Sequence, residues 1–136
     1  MTALFEDKFA IQELIVRYSH TIDSRDYEGW LACFAEDGAF EASRGRWAGQ
    51  AQLREFTKEY ESRRDRDYPG LRHHVNNVLI DVQGNTARSS SYLQVGITDD
   101  QGARFAWCGR YEDTFVKVGG AWRFKERKVL RDEWSA

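Results

Sequence analysis

Three histidines, His20, His73 and His74, are the side chains of this chain best suited to moving protons near neutral pH. An unperturbed imidazole titrates at ~6.5. His73 is the candidate general base. His74 follows it directly, and neighbours on a strand point to opposite faces. The two therefore diverge, make a poor chelating pair, and leave His74 as a structural residue. His20 falls off the apolar stripe of its helix and reads as a surface residue. A histidine base needs a carboxylate that orients the ring and stabilises its cation. Asp26 is the natural cap of a second helix, which leaves Asp23, at the end of the first, free for another task. Tyr18 is either a phenol donor to a developing oxyanion or a core aromatic. Asn77 either bonds a substrate or holds the sheet. Arg110 and Arg127, on late strands, either assist an anionic leaving group or are solvated or ion-paired. Trp30 and Phe34 are candidates for a binding wall or for ordinary core.

Other chemistries find little support. Ser89-Ser90-Ser91 lies inside a predicted strand and lacks the G-x-S-x-G elbow of a nucleophile. No phosphate loop, dinucleotide fingerprint or zinc-ligand spacing occurs. Two cysteines, Cys33 and Cys108, make neither a disulfide scaffold nor a Cys-rich zinc site. A net charge of −2 argues against a nucleic-acid partner, which calls for a basic excess. The chemistry expected is thus cofactor-independent and metal-free. Five tryptophans, six tyrosines and eight phenylalanines suit a cavity for a small hydrophobic molecule.

The elements that must position these groups divide at Pro69. Helical periodicity dominates before it and strand alternation after it, which predicts a single α+β domain over residues 1–136. A first helix is predicted from about Leu4 to Ile22, with Phe5, Phe9, Leu14, Ile15, Tyr18 and Ile22 on its apolar stripe. A second runs from about Tyr27 to Ala35, capped by Asp26, stopped by Asp37-Gly38, and burying Trp30, Leu31 and Phe34. A short strand near Ala39–Glu41, a turn at Arg44-Gly45-Arg46 and a third helix over Gln50–Arg63 follow. The charged run Glu61–Asp67 reads as a solvated face or loop. Four long strands are predicted over Leu71–Val82, Thr86–Thr98, Arg104–Val118 and Ala121–Arg131. Their joints at Gly84-Asn85, Asp99–Gly102 and Gly119-Gly120 are hairpin signals. Long antiparallel strands twist and curl. With helices capping it, this sheet should form a cone-shaped barrel with a ligand-sized interior.

The order and spacing of several motifs resemble SnoaL-like proteins of the nuclear transport factor 2-like superfamily. They are Ile11-Gln12-Glu13-Leu14, Tyr18, Asp23-x-x-Asp26-Tyr27, Trp30-Leu31, Phe34–Gly38, Arg72–Val78, Gly109–Asp113 and Gly120–Phe124. The resemblance covers nearly the whole chain and implies the same cone-shaped α+β barrel. It is nearest to the branch holding scytalone dehydratase and hexachlorocyclohexane dehydrochlorinase. Those enzymes place an Asp at the end of the first helix and a His at the start of the long sheet. Asp23 and His73 fill these places, and Asn77 keeps a His-x-x-x-Asn spacing. Tyr18 stands where the dehydrochlorinase has a lysine, and no histidine follows His74 to match the second one of scytalone dehydratase.

The function expected is a cofactor-independent lyase, a dehydratase or related elimination, acting on a small hydrophobic cyclic or aromatic substrate. The alternatives are an isomerase or cyclase using the same pair, or a non-catalytic binding module or dioxygenase small-subunit-like protein. The opening MTALFEDKFA shows no signal-peptide pattern, and no apolar run approaches the ~20 residues that span a membrane. A cytoplasmic protein without a membrane partner is expected. Association as a homodimer or higher homo-oligomer is expected too, because the helices are too few to cover both sheet faces.

Overall fold

Ile11, Leu14, Ile15, Tyr18 and Ile22 recur at helical spacing and are all buried. They are the inner stripe of α1 (Thr2–Asp23). Phe5 and Phe9 were expected on the same stripe, but both are exposed, at 71% and 59%. The described structure, a computed structural model, covers residues 2–134. The connection to α2 (Tyr27–Ala32) is a tight Schellman-type stop. The Asp26 N–H bonds the Thr21 carbonyl at 2.9 Å, and Arg25 takes the left-handed conformation with φ 66°. Asp26 then caps α2, its carboxylate accepting from the Gly29 N–H at 2.9 Å.

The second helix ends at Ala32, earlier than the pattern predicts. Phe34 opens β1 (Phe34–Ala42), which is longer than expected and hairpins with β2 (Gly45–Ala48). The cause is a tertiary partner: Phe34 sits opposite Phe124 in a parallel pairing with the last strand. Asp37-Gly38 is therefore not a helix stop. Gly38 lies inside β1, where a Cβ would come 2.8 Å from the Phe124 carbonyl oxygen, so glycine permits the close approach. Helix α3 (Gln50–Asp67) continues through the charged run, which is the largely solvated face of a helix and not a loop.

Strands β3 (Arg72–Gln83), β4 (Thr86–Asp99), β5 (Gly102–Val118) and β6 (Ala121–Arg131) form the antiparallel meander at nearly the predicted bounds. The architecture is α+β, with three N-terminal helices on a curved sheet. The sheet has the order β2-β1-β6-β5-β4-β3. It is mixed, because β1 and β6 run parallel, and it is open at β2 and β3. Inward side chains such as Leu93, Val95, Tyr111, Phe115 and Phe124 meet the helices in one core. Among the described residues no helix is long and apolar enough to cross a membrane.

Candidate active site

The stop of α1 aims the Asp23 side chain at the start of β3. There its two oxygens grip one residue. Asp23 Oδ1 lies 2.6 Å from His73 Nδ1, and Oδ2 accepts the His73 backbone N–H at 2.9 Å. Both side chains are 12% exposed. This two-point hold fixes the ring's position and leaves Nε2 as its free nitrogen. Arg64, in the last turn of α3, fixes the other side of the helix end. Arg64 is 3% exposed, and its guanidinium donates to the carbonyls of Ile22 at 2.8 Å and Asp23 at 2.9 Å. A cation on the last carbonyls of a helix is favourable both as a donor and against the helix dipole.

His73 lines a cavity of about 440 Å³ between the helices and the inner sheet face. Its apolar wall includes Ile22, Phe40, Phe56, Leu71, Leu93, Val95 and Val129, and its aromatic polar groups are Tyr18, Tyr60, Tyr68, Trp107 and Tyr111. The volume falls within the range of small-molecule sites. Burial pushes the Tyr18 phenol up to about 12, against the pull of the Arg127 charge. Tyr18 is therefore neutral at physiological pH and able to donate a hydrogen bond. Burial raises Tyr60 and Tyr111 as well.

The other residues singled out in the sequence lie elsewhere. Trp30 and Phe34 are core, 0% and 3% exposed, packed on Tyr18 and each other, and neither lines the cavity. Asn77 is exposed at a bulge in β3, with φ 53°, where the register slips between Asn76 and Leu79. Asparagine tolerates that left-handed conformation, so its observed place is in the sheet. Arg110 is on the outer face, half exposed, beside Glu112 at 3.3 Å. His74 is also outside, its ring edge-on to Phe105. His20 is exposed, as expected.

Arg127 is 0% exposed beneath the cavity floor. Its guanidinium pairs with Asp113 at 2.9 and 3.1 Å and lies 3.4 Å from the ring centre of Tyr111 and 4.3 Å from that of Tyr18. Ser89 donates to the same carboxylate at 3.2 Å. Burial pushes the Asp113 carboxyl up, opposed by the Arg127 charge. Arg127 thus touches two of the tyrosines that line the cavity, Tyr18 and Tyr111, but not the cavity itself. Arg63, Arg64, Tyr68 and Arg131 escaped sequence reasoning. The signal available for the first two was helical phase: Phe56, Tyr60 and Arg63/Arg64 continue one face, if α3 is carried on through its charges. Among the described residues no group of three or more His, Cys, Asp or Glu side chains is placed to hold a metal ion.

The profile of the SnoaL-like domain matches residues 4–128. The chain belongs to the SnoaL-like family. Among solved structures it is similar to Rv3472 of Mycobacterium tuberculosis, a protein of unknown function. The two share 31% identity over 98% of this chain and 76% of the other, with a TM-score of 0.87. It is also similar to a Novosphingobium aromaticivorans protein described as a "putative scytalone dehydratase". That match has 26% identity, coverage of 98% and 89%, and a TM-score of 0.81. An NTF2-like protein with a cystatin-like fold from the same organism superposes with a TM-score of 0.88 at 24% identity, over 99% and 88% of the two chains, a likeness of fold alone. No curated protein sequence matches.

Proposed function

We propose that this SnoaL-like domain is a cofactor-independent lyase in which His73 is the general base and Asp23 its orienting partner. The observation that carries the reading is the two-point grip of Asp23 on His73, a residue that lines a mainly apolar cavity. In the reaction, His73 Nε2 takes a proton from a substrate carbon. The C–H electron pair becomes the new π bond, and the neighbouring C–O or C–halogen bond breaks with its electrons on the departing group. The imidazolium, stabilised by Asp23, can return its proton to a departing hydroxide as water. Tyr18, a neutral donor in the cavity wall, hydrogen-bonds the oxygen on which charge develops. The apolar walls exclude water and favour a small hydrophobic cyclic or aromatic substrate. The likeness to the protein described as a "putative scytalone dehydratase" supports an elimination.

The test is turnover of cyclic hydroxyketones by wild type, His73→Ala and Asp23→Asn. General-base catalysis is worth ~10²–10⁴-fold, so His73→Ala should lower kcat by at least about a hundredfold with ligand binding kept. Asp23→Asn should also lower kcat, because an amide supplies one acceptor where the ring and backbone N–H groups need two. Wild-type turnover in both variants would end the reading.

A further inference from the structure

The cavity lining carries an excess of positive charge. The lining holds Arg44, Arg63, Lys128 and Arg131 against Glu41 and Glu133. Lys128 and Arg44 are satisfied by Glu41 and Glu59, each at 3.2 Å. Arg63 has Asp67 no nearer than 3.8 Å. Arg131 makes no ion pair among the described residues, and its guanidinium stacks 4.9 Å from the Trp107 ring centre.

The sheet register sets the distance from the stacked Trp107 and Arg131 to the base. His73 pairs with Val95, and Val95 with Trp107, so the three stand in one row on the inner face. Two strand spacings separate the outer members by ~10 Å. A six-membered ring with one substituent at each end spans that gap.

Resting on the elimination reading for the far end of the ring, the geometry points to a substrate that bears a carboxylate, bound by Arg131 where it stacks on Trp107, across the ring from His73, with Arg63 adding its charge from the cavity lining. Arg63 and Arg131 supply the counter-charge, and the planar guanidinium suits a carboxylate's two oxygens. The apolar wall between Val95 and Leu93 takes the ring.

The test compares binding of 4-oxocyclohexanecarboxylate with that of 4-oxocyclohexanecarboxamide by isothermal titration. The carboxylate should bind about tenfold tighter or better, the scale of one charge-assisted contact. Arg131→Met keeps an apolar stem over Trp107 and, being at the exposed rim, should fold; it should remove most of the preference. Arg63→Lys should keep part of it, and Arg63→Met combined with Arg131→Met none. Equal affinity for the two probes, binding of neither, or a preference surviving the double replacement would overturn the assignment. The readout is binding, so it separates from the elimination reading: His73→Ala should leave the preference intact even if it abolishes turnover.

Discussion

Arg64 Nη2 donates to the Asp23 carbonyl oxygen at 2.9 Å, from a residue 41 positions further along the chain. The same guanidinium binds the Ile22 carbonyl at 2.8 Å and faces the Tyr27 hydroxyl at 3.3 Å. Helix α3 thereby fixes where α1 ends, and the end of α1 fixes where the Asp23 carboxylate meets His73. His73 is positioned by three elements, α1, α3 and β3.

Removing this clamp should cost both stability and activity. Arg64→Met leaves two carbonyls at a buried helix end without their donor, a loss of ~1–3 kcal/mol. The urea midpoint should fall, and kcat should fall beyond what the lost folded fraction explains, because Asp23 is no longer held. Full activity at temperatures well below the melting transition would show that Asp23 needs no such support.

The buried pair of Arg127 and Asp113 should behave as a unit. Both side chains are 0% exposed, at 2.9 Å. Arg127→Met alone strands a carboxylate in the core and should destabilise by ~3–5 kcal/mol, as should Asp113→Leu alone by stranding a guanidinium. The double variant should lose clearly less than the sum, because no buried charge remains uncompensated. Additive losses in chemical denaturation would contradict this.

Much of this was legible in the residues. Asp23 and His73 stood out because a spare carboxylate and a strand histidine recur in a known order, and the hairpin turns marked the meander closely. What was hidden depends on partners distant in sequence. Phe34 reads as the face of a helix until Phe124 offers it a strand, and that parallel pairing joins residues some ninety apart. Arg63 and Arg64 look like two more charges in a solvated run, since nothing local shows that one caps α1 and the other enters the cavity. Asn77 keeps a motif spacing, yet it sits at a bulge whose extra residue shifts the inward set from His73 and Val75 to Val78 and Ile80. Phe5 and Phe9 lie on the far side of α1 from Ile11, Leu14 and Tyr18 when residues are counted at 3.6 per turn, so they face outward.

The outer sheet face should join two copies of the chain. The helices cover the inner face, while Leu79, Tyr92 and Phe105 stand 77%, 53% and 59% exposed on the outer one. Three large apolar side chains on one sheet face are a natural contact surface. Light scattering at micromolar concentration should give a dimer mass, and Tyr92→Asp with Phe105→Asp should shift it to the monomer. A monomeric wild type would rule this out.

Stability should decline in alkali for a reason seated in the cavity wall. Tyr18, Tyr60 and Tyr111 are buried, and burial raises all three phenols, Tyr18 from 10.0 to about 12. Below pH ~10 these groups are neutral in both folded and unfolded chains and contribute no pH dependence. Above it the unfolded chain ionises first, while the folded chain holds its protons. The unfolded state then binds fewer protons, so stability falls as pH rises from about 10 towards 12. For Tyr18 a shift of that size amounts to about 2–3 kcal/mol once both limits are passed. Tyr18→Phe removes one of the three ionisations, so its urea midpoint should fall less steeply with pH than that of wild type. Lysine deprotonation acts equally on both proteins and cancels in the comparison. Parallel slopes for the two would mean that the Tyr18 phenol titrates in the fold as it does in water. That would also deprive Tyr18 of its place as a buried neutral donor to the reacting oxygen.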